Sequence, residues 1–384
     1  MPRKICVVTG TRAEYGLLQS VMTLLKSDPD VQFQLVVTGS HLSSRHGETV
    51  RQIEQDGFVP NERVQVDLTD DSKLGIARAM ADTTSKIAEA FDRLSPDVIV
   101  VLGDRYEILA SAQAALILGI PIAHIHGGEV TAGAFDDSIR HAITKMSSLH
   151  FVAAQDYMRR VIQLGEQPNT VFNVGALGID LALSTELADR QELCESLHVQ
   201  LTNPILLVTY HPTTRADKSA SEEITEVLAA LEKFAYCTVV FTGVNADPGN
   251  SEISSKISQF ISADPKKRSL HESLGQKNYF SLMKLCDVVV GNSSSGIIEA
   301  PAFRVPTVNI GARQHGRLKA DSIVDSNVDR NQIQTSIEIT LSSTWRERCA
   351  KIVSVYGSGN CAQKIVNTLK TADLSAKKTF FDLS

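Results

Sequence analysis

Cysteine pairs at metal-binding or redox spacing are missing from this chain. Its six cysteines, Cys6, Cys194, Cys237, Cys286, Cys349 and Cys361, are scattered, with no CxxC among them. Most stand beside apolar residues, which predicts buried, reduced thiols in a cytosolic protein rather than a disulfide framework. Long apolar stretches are missing too. The opening MPRKICVVTG carries basic residues and only a short apolar run before Gly10 and Arg12, well under a signal peptide or a membrane span. The expectation is a cytoplasmic protein with no membrane partner. Neither sign of charge is in large excess: 38 Lys and Arg stand against 44 Asp and Glu, a net charge of -6. That balance offers no nucleic-acid surface, although a local basic pocket for a phosphorylated ligand is compatible with it. Low-complexity tracts are absent.

Familiar cofactor signatures are wanting as well. No GKS or GKT occurs, so there is no P-loop. TGTRAEYG follows the first apolar run but is not GxGxxG, and no acidic residue follows the next strand at the dinucleotide position. A nicotinamide cofactor is therefore not supported. HIHGG lacks the spacing of HExxH, so no essential metal is expected.

What the chain does carry is a long alternation of β-rich runs and helical stretches. At 384 residues it exceeds one ordinary core, and 43% hydrophobic with 21% charged content suits a soluble globular protein. KICVVTG, FQLVVTG, DVIVVLGD, IPIAHIH, LHFVAA and VFNVGA recur in the first part. Several are continuous Val, Ile and Leu, which predicts parallel strands covered on both faces. AEYGLLQSVMTLLKS puts Leu17, Leu18, Val21, Leu24 and Leu25 on one helical stripe. After a looser charged stretch the pattern restarts with ILLVTYH, CTVVFTG, DVVVGN and VPTVNIG. Two doubly wound α/β domains are predicted, residues 1–178 and 179–384, with the boundary between Gly175 and Thr185. GSGNCAQKIVNTLK begins in turn residues and becomes a final helix. Ligands of such sheets lie beyond the carboxyl ends of the strands, so a cleft lined by polar strand-end residues is expected.

Several strand ends carry such residues. Arg12 lies where the first loop opens into a helix, either a phosphate ligand or a surface arginine. Asp104 follows an apolar strand and a glycine, and reads as an acid/base or as a cap for the next helix. In HIHGGEVTAGAFDDSIRH the period of two puts His124 and His126 on one face, with Glu129, Asp136 and Asp137 within reach. Asp136 and Arg140 are four apart on the helix that follows, a spacing that can hold a carboxylate. These histidines are acid/base groups, metal ligands or plain hydrogen-bonding residues; acid/base chemistry is the better functional account. His211 ends a strand ahead of Pro212, followed by Thr213, Thr214 and Arg215, and suits a phosphate or a sugar hydroxyl. GNSSSGIIEA brings Asn292 and three serines to the start of a helix, an anion site or a serine-rich cap. Glu299, one turn in, would repel phosphate but can accept from ribose hydroxyls. Arg313, His315 and Arg317 close the set, with room for one or two to point inward.

Together GTRAEYG, LGDRYE, GGEVTAGAFDDSIRHAITK, GNSSSGIIE and NIGARQHGR resemble the UDP-N-acetylglucosamine 2-epimerase family, in its hydrolysing NeuC-type branch. The likeness covers nearly the whole chain. It implies two Rossmann-like doubly wound domains in a GT-B-type arrangement, with a final helix that crosses back to the first domain. It also implies a homodimer or homotetramer, with a UDP-sugar and UDP as the small-molecule partners and no cofactor. By position, Arg12, His211, Asn245, Ser293, Ser294, Glu299 and Arg313 match the nucleotide-binding set. Ser294 falls on the diphosphate and Glu299 on the ribose. Asp104 and Asp136 match the acids that act on the sugar, and Asp137 is the neighbouring alternative. Where sialic-acid-pathway relatives carry an acid in HIEGG, this chain has His126, so the base is that imidazole or Glu129, or the change reflects another sugar at C4.

The implied reaction removes a proton at C2 while UDP leaves C1. Water then adds to the resulting glycal at C1 as a proton returns to the opposite face of C2. UDP-N-acetylglucosamine, giving N-acetylmannosamine, is the expected substrate. The 2,4-diacetamido-2,4,6-trideoxy analogue, on the route to legionaminic acid, is the alternative. A glycosyltransferase is a further reading, since the same scaffold hosts many activities. Retention of Asp104 with Asp136 and Asp137 argues against a binding protein that has lost catalysis.

Overall fold

The computed structural model describes residues 2–70, 72–130, 135–212, 219–243 and 250–383. The chain forms two compact units, Met1–Leu181 with Gly359–Ser384, and Ala182–Ser358.

The first unit is built on β1 (Arg3–Thr9), β2 (Val31–Thr38), β3 (Glu62–Val64), β4 (Val98–Leu102), β5 (Ile122–Ile125), β6 (Leu149–Val152) and β7 (Val171–Asn173). They pair in the order β3-β2-β1-β4-β5-β6-β7, every pairing parallel. Their continuous apolar runs have a direct cause: alternate residues enter different cores. Ile5 and Val7 pack with the helices Arg12–Ser27 and Cys361–Thr371, while Cys6 and Val8 face Ile87, Phe91 and Ala112 on the other side. Each fully buried aliphatic side chain contributes about 1.5–3 kcal/mol.

The helix Arg12–Ser27 buries Tyr15, Leu18, Val21, Met22 and Leu25, while Leu17 and Leu24 flank this stripe partly exposed. Thr11 caps it by accepting the Glu14 N–H. The final helix, Cys361–Thr371, belongs to the first unit. Its Cys361, Ile365, Val366 and Leu369 join that core, and the Ala362 N–H donates to Asp180 at 2.7 Å. Arg3 donates to the carbonyls of Leu369 and Ala372 at that helix's end.

The second unit repeats the plan with β8 (Ile205–Thr209), β9 (Thr238–Thr242), β10 (Arg268–His271), β11 (Val288–Gly291), β12 (Thr307–Ile310) and β13 (Ile323–Ser326). Their order is β10-β9-β8-β11-β12-β13, again all parallel. Both units are therefore Rossmann-like and doubly wound, with strand order reversing between β1 and β4 and between β8 and β11. The six cysteines are unpaired thiols, all buried except the partly exposed Cys194. Among the described residues, no helix is long and apolar enough to cross a membrane.

Candidate active site

In the first unit the strand ends at the order reversal gather the acidic candidates. Gly103, at φ 84°, turns the chain out of β4 and delivers Asp104. The helix Tyr106–Ile117 starts with Arg105 as its N-cap and no side-chain cap bond, so Asp104 does not cap it. Its carboxylate instead meets the Arg140 guanidinium. Arg140 is buried on the helix Phe135–Met146, donates to the Glu129 carbonyl at 2.9 Å and lies 3.5 Å from the Asp137 carboxylate. One cation thus joins Asp104, Asp137 and the main chain at Glu129. The expected Asp136–Arg140 pairing is not made among the described residues. Both i+3 and i+4 neighbours share a helix face, and the bonds to Asp104 and Glu129 draw the guanidinium to the Asp137 side.

The two histidines also part company. β5 ends at Ile125, and His126 takes φ 65°, a left-handed conformation uncommon for a side-chain-bearing residue. The strand period that predicted one shared face therefore stops before it. His124 is fully buried, its Nε2 donates to the Gly103 carbonyl at 2.8 Å, and its Nδ1 faces the Thr144 hydroxyl at 3.2 Å. Burial pushes it down to about 3, so it is neutral and serves to pin the turn before Asp104. His126 places Nδ1 2.7 Å from the Glu129 carboxylate, while its buried Nε2 has no hydrogen-bond partner among the described residues. A carboxylate-oriented imidazole whose second nitrogen has no protein partner among the described residues is equipped for proton transfer.

At the end of β1, Arg12 is the first residue of its helix and is exposed. It borders a recess of about 340 Å³ shared with Tyr15, Glu48, Thr49 and Gln52. Beneath this loop lies a buried acid pair that motif reading missed. Glu14 accepts the Gly10 N–H at 3.0 Å and the Thr11 hydroxyl at 3.2 Å, and Glu107 accepts from Arg105 at 2.6 Å. Burial, with the Glu107 charge adding to it, pushes Glu14 up to about 8. Gly10 has to be glycine: a Cβ there would sit 2.5 Å from Glu107 Cγ. The T-x-x-E spacing of Thr11 and Glu14 was the available signal.

In the second unit the loops after β8, β11 and β12 are tied together by Asn292. Its side chain accepts the His211 N–H at 2.7 Å and donates to the His211 carbonyl at 2.8 Å. Its own carbonyl accepts from Gln314 at 2.8 Å and Arg313 at 3.2 Å. Gly291 makes the close approach possible, since a Cβ at its φ of 136° would lie 1.9 Å from the Thr209 carbonyl oxygen. Buried Gln314 was not foreseen, because nothing in its polar surroundings marks it.

The serine loop follows. Ser293 and Ser295 share a hydroxyl contact at 3.0 Å, Tyr279 bonds Ser295, and Ser294 precedes the helix Ser295–Ile298 without a side-chain cap bond. That helix has only four residues; Glu299 closes its C-terminal end, and Pro301 follows in the next turn. The expectation that Glu299 lies one turn inside a helix is therefore corrected: proline cannot continue the pattern of main-chain donors. Short as it is, this helix adds little dipole, so an anion held here would depend on the hydroxyls and N–H groups. Burial pushes Glu299 up to about 8, against the opposing pull of the Arg317 charge. Asn245, Thr213, Thr214 and Arg215 lie outside the described residues.

Residues 23–370 match the family model described as UDP-N-acetylglucosamine 2-epimerase. The GDP/UDP-N,N'-diacetylbacillosamine 2-epimerase (hydrolyzing) of Campylobacter jejuni is 38% identical, covering 99% of both chains. The polysialic acid biosynthesis protein P7 of Escherichia coli is 38% identical over 99% of this chain and 97% of its own. The UDP-N,N'-diacetylbacillosamine 2-epimerase (hydrolyzing) of Legionella pneumophila is 34% identical over 98% of each. The crystal structure of the Neisseria meningitidis UDP-GlcNAc 2-epimerase bound to UDP-GlcNAc has a TM-score of 0.77 at 18% identity, with 95% of this chain and 99% of that one covered. This last likeness is one of fold. With its family match and full-length relatives above 30% identity, the chain belongs to the UDP-N-acetylglucosamine 2-epimerase family, among its hydrolysing enzymes.

Proposed function

We propose that the protein converts a UDP-linked 2-acetamido sugar and water into UDP and the free 2-epimeric sugar, and that its preferred substrate is UDP-2,4-diacetamido-2,4,6-trideoxyglucose. The observation that carries the reaction class is the pairing of two differently held proton-transfer groups at neighbouring strand ends. One is His126 oriented by Glu129; the other is Asp104 held by Arg140. Elimination and rehydration with inversion at C2 need one group to take the proton and another to return it on the opposite face. The electron pair of the C2–H bond forms the C1–C2 double bond as the C1–O bond to UDP breaks. Water then adds its oxygen to C1, and C2 regains a proton.

The second unit supplies nucleotide binding in this reading. Ser293, Ser294 and Arg313 would act on the diphosphate. His211 and Asn245 complete the nucleotide contacts, and Glu299 accepts from the ribose. Preorganised donors at the leaving diphosphate are where charge develops, so they favour departure over mere binding.

The diacetamido sugar is favoured because two full-length relatives, at 38% and 34% identity, bear diacetylbacillosamine in their names. UDP-N-acetylglucosamine is the second reading, favoured by the family description and by the polysialic acid relative. The deciding experiment measures kcat/KM on both UDP-sugars in deuterated water, with products identified by NMR. A preference of about 100-fold for the diacetamido sugar is expected, equivalent to about 2.7 kcal/mol of transition-state discrimination. Preference for UDP-N-acetylglucosamine would reassign the sugar. UDP release that requires an acceptor sugar, or a product without deuterium at C2, would overturn the reaction itself.

A further inference from the structure

The segment after the last helix, residues 372–383, makes a contact that no part of the reaction described above uses. Lys378 places its ammonium on the carbonyls of Lys145 at 2.6 Å and Ser147 at 2.5 Å, at the C-terminal end of the helix Phe135–Met146. The last carbonyls of a helix lack partners inside it, and a cation there meets the negative end of its dipole. The same ammonium lies 2.7 Å from Glu166, a carboxylate only 2% exposed that also binds Lys145 at 2.7 Å and His150 at 3.0 Å. Flanking residues hold the segment in register. The Phe381 N–H donates to the Gly165 carbonyl at 2.9 Å, and the Phe380 ring occupies the space where a Gly165 side chain would start. The first turn of the same helix carries Asp136 and Asp137, and Arg140 follows in the next. In its last turn, Thr144 faces His124, which pins the turn before Asp104.

We propose that Lys378 is a positioning residue for this helix: seated on the carbonyls of Lys145 and Ser147 at its C-terminal end and on Glu166, it fixes the helix along its axis so that Arg140, with Asp137 beside it, meets Asp104. The helix runs unbroken over twelve residues, so its hydrogen-bonded turns carry an axial shift at one end toward the other. The consequence for turnover rests on the functional reading given above; the mechanical coupling does not.

Two measurements test it on the full chain, comparing the parent, Lys378→Met, Lys378→Arg and the exposed neighbour Lys377→Met. The first is steady-state turnover of the UDP-sugar alongside UDP affinity by calorimetry. Lys378→Met should lower kcat at least about tenfold with KM and UDP affinity within about threefold, since an ångström of misplacement can cost about 10²-fold. Arginine at this position keeps the cation and should recover most of kcat, and Lys377→Met should match the parent. The second is amide hydrogen exchange. Residues 135–147 should exchange faster in Lys378→Met, while the helix Arg12–Ser27 stays unchanged. Unchanged kcat in Lys378→Met, loss of kcat and UDP affinity in proportion, or an arginine variant as impaired as methionine would overturn the proposal. Unchanged exchange over 135–147 would overturn it as well. If the parent turns over neither UDP-sugar, the functional reading fails, and the exchange measurement still decides the coupling.

Discussion

Asp104 stands two residues ahead of a helix, yet its carboxylate is held by Arg140, thirty-six positions further along the chain. The pairing converts a residue with an ordinary local role on offer into one committed to a tertiary cluster. Arg140 also bonds the Glu129 carbonyl, so the acid and the His126–Glu129 pair share a single anchor.

Asp104→Asn keeps the size of the side chain but removes its charge and its ability to take a proton. Turnover is expected to fall by about 10²–10⁴-fold, the range lost with a general acid or base. UDP affinity should stay within a few-fold, because the proposed nucleotide contacts do not include Asp104. Calorimetry with UDP and a coupled UDP-release assay separate the two; parallel loss of both would remove Asp104 from the chemistry.

His126→Asn tests the neighbouring pair. Asparagine tolerates the left-handed backbone at φ 65° and can still bond Glu129, but it has no outer imidazole nitrogen. The variant should fold with a melting temperature close to the parent and lose turnover about 10²-fold or more. Near-parental activity would show that this imidazole transfers no proton.

Glu299 predicts a pH dependence of UDP binding. In the free protein burial holds its carboxyl up to about 8, so it is largely protonated at neutral pH. A carboxylate that accepts ribose hydroxyls is favoured in its charged form, so binding lowers this pKa and releases a proton. UDP affinity should therefore rise as pH increases toward 8 and level off above it. Calorimetry in buffers of different ionisation enthalpy reads the released proton directly. Glu299→Gln should bind more weakly and lose the slope; a parent affinity flat from pH 6 to 9 contradicts the assignment.

Glu14 predicts a stability effect of its own. Its pKa is raised from 4.5 to about 8 on folding, so between those values the unfolded chain gives up a proton that the folded chain keeps. Its contribution is thus fully present below the unfolded value and is lost as pH rises through about 8. Glu14→Gln should flatten that decline, with a gain over the parent at pH 8 relative to pH 5 of roughly 1 kcal/mol or more. Denaturant titrations at both values provide the check, and an identical pH dependence in the two proteins would refute it.

Much of the fold was legible because its cause is local. KICVVTG and DVIVVLGD are apolar at successive positions, and both faces of β1 and β4 are indeed covered. The strand-end candidates were legible for the same reason: Gly103 and Gly291 mark where strands stop, and Asp104 and Asn292 come next. The pairing of acids was not. Helical spacing leaves Asp136 and Asp137 almost equally placed toward Arg140, and local geometry cannot rank them. His126 likewise follows a strand whose alternation gives no warning of a left-handed residue.

The sequence by itself determined two doubly wound α/β halves and the residues at their strand ends, consequences of hydrophobic period and turn chemistry, and it carried the motifs by which the chain resembles its family. Only the tertiary structure decided that Arg140 chooses Asp104 and Asp137, that Asn292 binds the loops after β8 and β12, and that Lys378 seats on the helix Phe135–Met146. These contacts join segments far apart in the chain. Their partners are selected by which polar groups burial leaves without water, a competition that exists only once the sheets have assembled.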